Sequence, residues 1–138
     1  KMRRTIRIGF LTIAIVAVAA VAFAQDSKGG EDIGRYTDPA ALKQLVEEGE
    51  REFIVVDVRT PAEYRSGHIP GAVNIDYREI GQRPPEVDKD TLVVTYCRSG
   101  ARASHAQATL EQMGFENVVN FGAASSWPGD LVTGDQPR

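Results

Sequence analysis

Cysteine is almost absent from this 138-residue chain: Cys97 stands alone, so no internal disulfide can form. Histidine is scarce as well. His68 and His105 are the only two, and neither stands at ligand spacing from Cys97, so no metal and no cofactor are expected. No internal repeat is visible, which leaves one ordinary domain and one core. An excess of positive charge is missing too. The formal net charge is −3, and it becomes −7 for residues 25–138 because the first 24 residues hold four basic side chains and no acidic one. So acidic a domain is poorly suited to nucleic acid or an anionic membrane surface.

Charge is also lacking from Ile8 to Ala24, behind Lys1, Arg3, Arg4 and Arg7. A basic start, an apolar middle and Ala22-Phe23-Ala24 read as a secretory signal cleaved after residue 24, which implies an exported, periplasmic protein. The alternative is an uncleaved anchor, and only then a membrane association, since 17 uncharged residues reach the lower limit of a spanning helix. Residues 25–32 read as a flexible leader, 33–131 as the domain and 132–138 as a tail, with a monomer favoured.

Among what is present, the run Val93-Val94-Thr95-Tyr96-Cys97 stops at the sole cysteine and is followed by Arg98-Ser99-Gly100-Ala101-Arg102. The spacing beyond it predicts a helix over 102–113, ended by Gly114. Cys97 therefore sits where a strand hands over to a helix N-terminus, whose unpaired N–H groups and dipole favour an anion. A thiol in that position, between two arginines, is expected to ionise readily into its nucleophilic form.

The other elements read from local signals. Residues 33–36 suggest a short edge strand. Thr37-Asp38-Pro39 starts a helix that Gly49 ends, and Phe53 to Val58 is an apolar run suited to a strand covered on both faces. Thr60-Pro61-Ala62-Glu63 is a capping box for a short helix ended by Gly67. Short strands follow at 73–75 and 118–121, with a helical turn at 77–80 and a loop over 82–89. Strands alternating with helices indicate an α/β domain with a mainly parallel sheet.

The ordered motifs Asp57-Val58-Arg59, Glu63-Tyr64-Arg65-Ser66-Gly67-His68-Ile69-Pro70-Gly71-Ala72, Tyr96-Cys97-Arg98-Ser99-Gly100-Ala101-Arg102, and Gly122 with Trp127 resemble a single-domain rhodanese, a sulfurtransferase domain. The resemblance spans about residues 33–131. It implies a three-layer α/β/α fold with five strands and an active-site loop starting at Cys97. The family often has Gly-Gly before the tryptophan; Gly122-Ala123 departs from that.

Chemically, Cys97 is the side chain able to accept a sulfane sulfur from a small anionic donor such as thiosulfate and pass it to a thiophilic acceptor such as cyanide or a thiol. Loop N–H groups from Arg98 through Ser99, Gly100 and Ala101 to Arg102 would stabilise the persulfide. Arg98 and Arg102 would orient an oxyanion, and Ser99 adds only a weak hydroxyl. Loop length argues against a phosphatase, which resembles this site in having an arginine six positions after the cysteine: here that position is Ala103, and Arg102 comes one residue early. Arg59 is read either as a further anion contact or as the ion-pair partner of Asp57 or Glu63. Asp57 is read as a structural acceptor, His68 as structural, His105 as solvated and Trp127 as core or lid. The rival function is a sulfur carrier or reactive-sulfur sensor that acts with a protein partner.

Overall fold

A computed structural model describes residues 32–137; the signal and most of the leader read from the sequence lie outside them. Helix α1 (Pro39–Glu48) is followed by β1 (Phe53–Asp57), α2 (Pro61–Ser66), β2 (Val73–Asn74), β3 (Leu92–Cys97), α3 (Ala101–Gln112) and β4 (Val118–Ala123), with 3-10 turns at Ile33–Thr37 and Ala124–Ser126. The sheet order is β2-β1-β3-β4 and every pairing is parallel. Among the described residues no helix is long and apolar enough to cross a membrane.

Among the described residues the sheet has four strands where the sequence suggested five. Residues 33–36 form a 3-10 turn instead of an edge strand, because local hydrogen bonds satisfy the backbone first. Asp32 accepts from the Gly34 N–H (3.1 Å) and Thr37 Oγ1 donates to the Gly34 carbonyl (2.9 Å), leaving no ladder to join. Tyr36 still anchors the turn in the core, fully buried.

The helix boundaries follow the caps. Asp38 accepts from the Ala41 N–H (2.9 Å) with Pro39 next in line, and Gly49 closes α1 in the left-handed region at φ 61°. At α2, Thr60 Oγ1 accepts from the Glu63 N–H (3.3 Å) while Glu63 Oε2 accepts from the Thr60 N–H (3.0 Å), which is a complete capping box.

Alternation along the strands sorts the core into two layers, as a sheet with covered faces requires. Val55, Val94, Tyr96 and Val119 pack with Leu42 and Leu45 of α1. Val56, Val93, Cys97 and Val118 pack with Ala103, Ala106 and Leu110 of α3. Helices on opposite faces make the three layers expected. Tyr96 and Cys97, neighbours in sequence, face opposite layers, and this sets the two polar sites described next.

Candidate active site

β3 is buried along its whole length and delivers Cys97 to the C-terminal edge of the parallel sheet. The residue exposes no surface; its underside belongs to the α3 core layer. Its sulfur, however, meets polar groups. The chain turns after it through exposed Arg98 and Ser99 to Gly100, and the Gly100 N–H donates to Cys97 Sγ at 2.9 Å. Gly100 has φ 95°, a backbone angle that favours glycine, and it packs against β4, where a Cβ would stand 3.4 Å from Gly122 Cα. Burial by itself pushes the Cys97 thiol up. The N–H groups of Ala103, Ser99, Gly100 and Arg102 outweigh it and hold the thiol below its ordinary value.

Arg102 points across the loop to α2. Its Nη1 donates to Glu63 Oε2 (2.8 Å) and its Nη2 to Glu63 Oε1 (3.0 Å), a two-pronged ion pair. The bond to Arg102 is the main cause that brings the Glu63 carboxyl down to about 2, against the opposing effect of burial. Arg102 in turn is raised, first by Glu63 and, less, by the Cys97 sulfur and Asp57. This partner was not assigned from sequence. The two residues are 39 apart in the chain, and the capping box accounted for Glu63 completely. Arg98, by contrast, lies exposed at the loop tip with no partner among the described residues.

Arg59 lies apart from the loop, in the second polar site. Its Nη2 donates to Asp57 Oδ2 and to the Gly67 carbonyl, both at 2.6 Å, and its Nε donates to Asp57 Oδ1 (3.0 Å). Asp57 accepts further from the Arg59 N–H (2.9 Å) and from the Tyr96 hydroxyl (2.9 Å), which itself accepts from the Ile69 N–H (3.0 Å). Burial and the Asp57 charge push the Tyr96 hydroxyl far up, so it remains a neutral donor. Of the two readings of Arg59, the ion pair with Asp57 is the one formed, and Asp57 takes the Arg59 N–H of the following turn as a structural acceptor would.

The remaining candidates are distributed elsewhere. His68 is buried, stacked on Tyr64 (ring centroids 3.7 Å apart), with Nδ1 2.9 Å from the Tyr64 carbonyl and Nε2 3.0 Å from that of Gln136. His105 is exposed, edge-on to Tyr77 at 5.7 Å. Trp127 fills the α1-side core layer, on the face away from Cys97, so it is core and not a lid. Among the described residues no three His, Cys, Asp or Glu side chains gather as a metal would need.

A further contact escaped the sequence reading. β4 carries a register shift opposite β3: Thr95 pairs with Asn120 but Tyr96 with Gly122. The Asn120 side chain donates to the Gly100 carbonyl (3.0 Å) and accepts from the Gly122 N–H (2.8 Å). Asn-x-Gly inside a strand, where both residues are poorly suited, was the available signal of a bulge.

Comparison with known proteins agrees with this geometry. Residues 38–127 match the profile of the rhodanese-like domain. A sulfurtransferase of Allochromatium vinosum is 42% identical over 91 residues, covering 65% of this chain and 84% of its own. The thiosulfate sulfurtransferase PspE of Escherichia coli is 36% identical over 69 residues, covering 49% of this chain and 66% of its own. The crystal structure of the Alr3790 protein from Anabaena sp. superposes with a TM-score of 0.65 at 29% identity, over 70% of this chain and 81% of that one. With the profile spanning most of the described residues and the cysteine loop at the end of the third parallel strand, this chain belongs to the rhodanese-like domain family.

Proposed function

We propose that the chain is a sulfurtransferase that moves a sulfane sulfur from thiosulfate, or a similar anionic donor, to a thiophile through a persulfide on Cys97. The observation that carries this reading is the Gly100 N–H at 2.9 Å from a sulfur whose thiol is held below its ordinary value by backbone amides. The Cys97 thiolate attacks the outer sulfur of thiosulfate, a new S–S bond forms, and the donor's own S–S bond breaks to release sulfite. A cyanide or thiolate acceptor then attacks the terminal sulfur. The persulfide bond breaks, thiocyanate or a new persulfide leaves, and the Cys97 thiolate returns. Both the thiolate and the terminal persulfide sulfur are anions, and the same amides serve each without reorganising.

The loop residues divide the work. Ser99, Gly100, Arg102 and Ala103 contribute through their backbone, while the Arg102 side chain holds the loop against Glu63. Arg98, exposed and without a partner among the described residues, is the cation best suited to meet the donor's sulfonate oxygens. Arg59, committed to Asp57 and the Gly67 carbonyl, supports the sheet edge from the opposite layer.

The test is a steady-state assay with thiosulfate and cyanide, followed by mass analysis after thiosulfate alone. Turnover together with a gain of about 32 daltons on Cys97 is the expected result. A stable mass gain without turnover favours the carrier reading, in which a protein partner takes the sulfur. Neither turnover nor mass gain removes the proposal. Export of residues 25–138 is a separate proposal that rests on the basic start and uncharged run of residues 1–24, and the N-terminal mass of the mature protein checks it.

A further inference from the structure

The geometry points to Asn120 as a positioning residue for Cys97, an inference that rests on the nucleophile reading above and extends it to a residue outside the loop. Asn120 touches no reacting atom. It lies on β4, and its amide spans the gap between that strand and the loop: Nδ2 donates to the Gly100 carbonyl at 3.0 Å, and Oδ1 accepts from the Gly122 N–H at 2.8 Å. The second bond fixes the amide's orientation, so the first is aimed. The Gly100 carbonyl also accepts from the Ser104 N–H (2.9 Å), the opening bond of α3. Two donors thus hold the carbonyl side of Gly100, and its amide side faces Cys97 Sγ.

This matters because Gly100 is the residue with the least intrinsic preference. At φ 95° a glycine has neighbouring wells of similar energy, and rotation about them would swing the N–H away from the sulfur. Asn120 removes that freedom without adding charge. A lysine in its place would hold the carbonyl but shift the thiol by direct attraction; an aspartate would repel the thiolate. Alternation along β4 puts Asn120, like Val118, on the α3 face with Cys97, and the register shift that follows Thr95 sets Gly122 against Gly100. The bulge and the asparagine therefore act together as the backing of the sulfur site.

The test reads the thiol directly, through the pH dependence of Cys97 alkylation by iodoacetamide, so it does not depend on sulfur transfer. Asn120→Ala and Asn120→Ser are compared with the natural chain. Ser keeps a short side-chain acceptor for the Gly122 N–H but cannot reach the Gly100 carbonyl, which guards against a variant that fails to fold. Asn117→Ala is the control: it removes a comparable amide contact, to the Asp90 carbonyl (2.6 Å), just before the other end of the same strand. The expected result is an upward shift of the alkylation midpoint in both Asn120 variants. At pH 7 the rate should fall by roughly three- to tenfold, with the high-pH plateau kept and Asn117→Ala unmoved. A folded Asn120→Ser whose midpoint matches the natural chain overturns the inference, as does an equal shift in Asn117→Ala. If instead the natural chain itself alkylates with an ordinary thiol midpoint, the nucleophile reading fails first, and the two failures are distinguishable.

Discussion

The two polar sites at the C-terminal edge of the sheet start from adjacent residues, Tyr96 and Cys97, and handle negative charge in opposite ways. On the α1 side the Asp57 carboxylate is buried and neutralised by side chains, the Arg59 guanidinium and the Tyr96 hydroxyl. On the α3 side the sulfur is met by backbone N–H groups, and the Arg102 guanidinium is turned to Glu63. A side-chain cation holds a permanent charge and resists its loss, which suits a structural strut. Amides stabilise an anion without pairing it off, so the atom remains reactive.

The sharpest way to break this comparison is at the sulfur. Cys97→Ser should reduce sulfur transfer below detection while leaving the circular dichroism spectrum and the unfolding midpoint close to those of the natural chain. Full activity in that variant would remove the mechanism. The strut should fail in the other sense: Asp57→Ala strands a buried Arg59 and is expected to cost about 3–5 kcal/mol in urea unfolding, with activity falling only as the folded fraction falls. Tyr96→Phe separates the neighbours more finely. Loss of the hydroxyl between Asp57 and the Ile69 N–H should cost about 1–3 kcal/mol, yet leave the alkylation profile of Cys97 where it was.

Smaller effects are expected at the rim. Arg98→Ala should raise the thiosulfate KM by roughly three- to tenfold with kcat little changed, as loss of a substrate contact made equally in ground and transition states. The Glu63 pair should appear in acid stability. Its carboxyl lies at about 2 in the folded chain against 4.5 for a free group, so its contribution is complete above pH 4.5 and disappears as pH falls toward 2. Urea midpoints of the natural chain and Glu63→Gln should therefore differ at pH 6 and converge near pH 2. The difference should stay below about 1 kcal/mol, because the pair is partly exposed.

How much of this was legible in sequence depends on the range of the interaction. The caps at Asp38, Thr60 and Gly49, the capping box and the handover from β3 to α3 at Cys97 each depend on residues a few positions apart, and all were readable. The Ile33–Thr37 turn was local too, yet it read as a strand, because Asp32 and Thr37 compete for backbone groups that an apolar pattern alone assigns to a ladder. Arg59 was ambiguous because Asp57 and Glu63 are both within its reach along the chain, and only the folded turn selects between them.

The sequence by itself determined the parallel α/β class, the position of the sole cysteine at a strand end and the amide-rich loop that follows, since those rest on hydrophobic period and on residues that hydrogen-bond to near neighbours. Tertiary structure alone decided that Glu63 takes Arg102, that Tyr96 closes on Asp57, and that Asn120 backs Gly100, pairs 39, 39 and 20 residues apart. The physical reason is the strand order. Placing β3 between β1 and β4 brings three distant segments to one edge of the sheet, and which polar groups then meet is a matter of register between strands, which is not written in any single stretch of the chain.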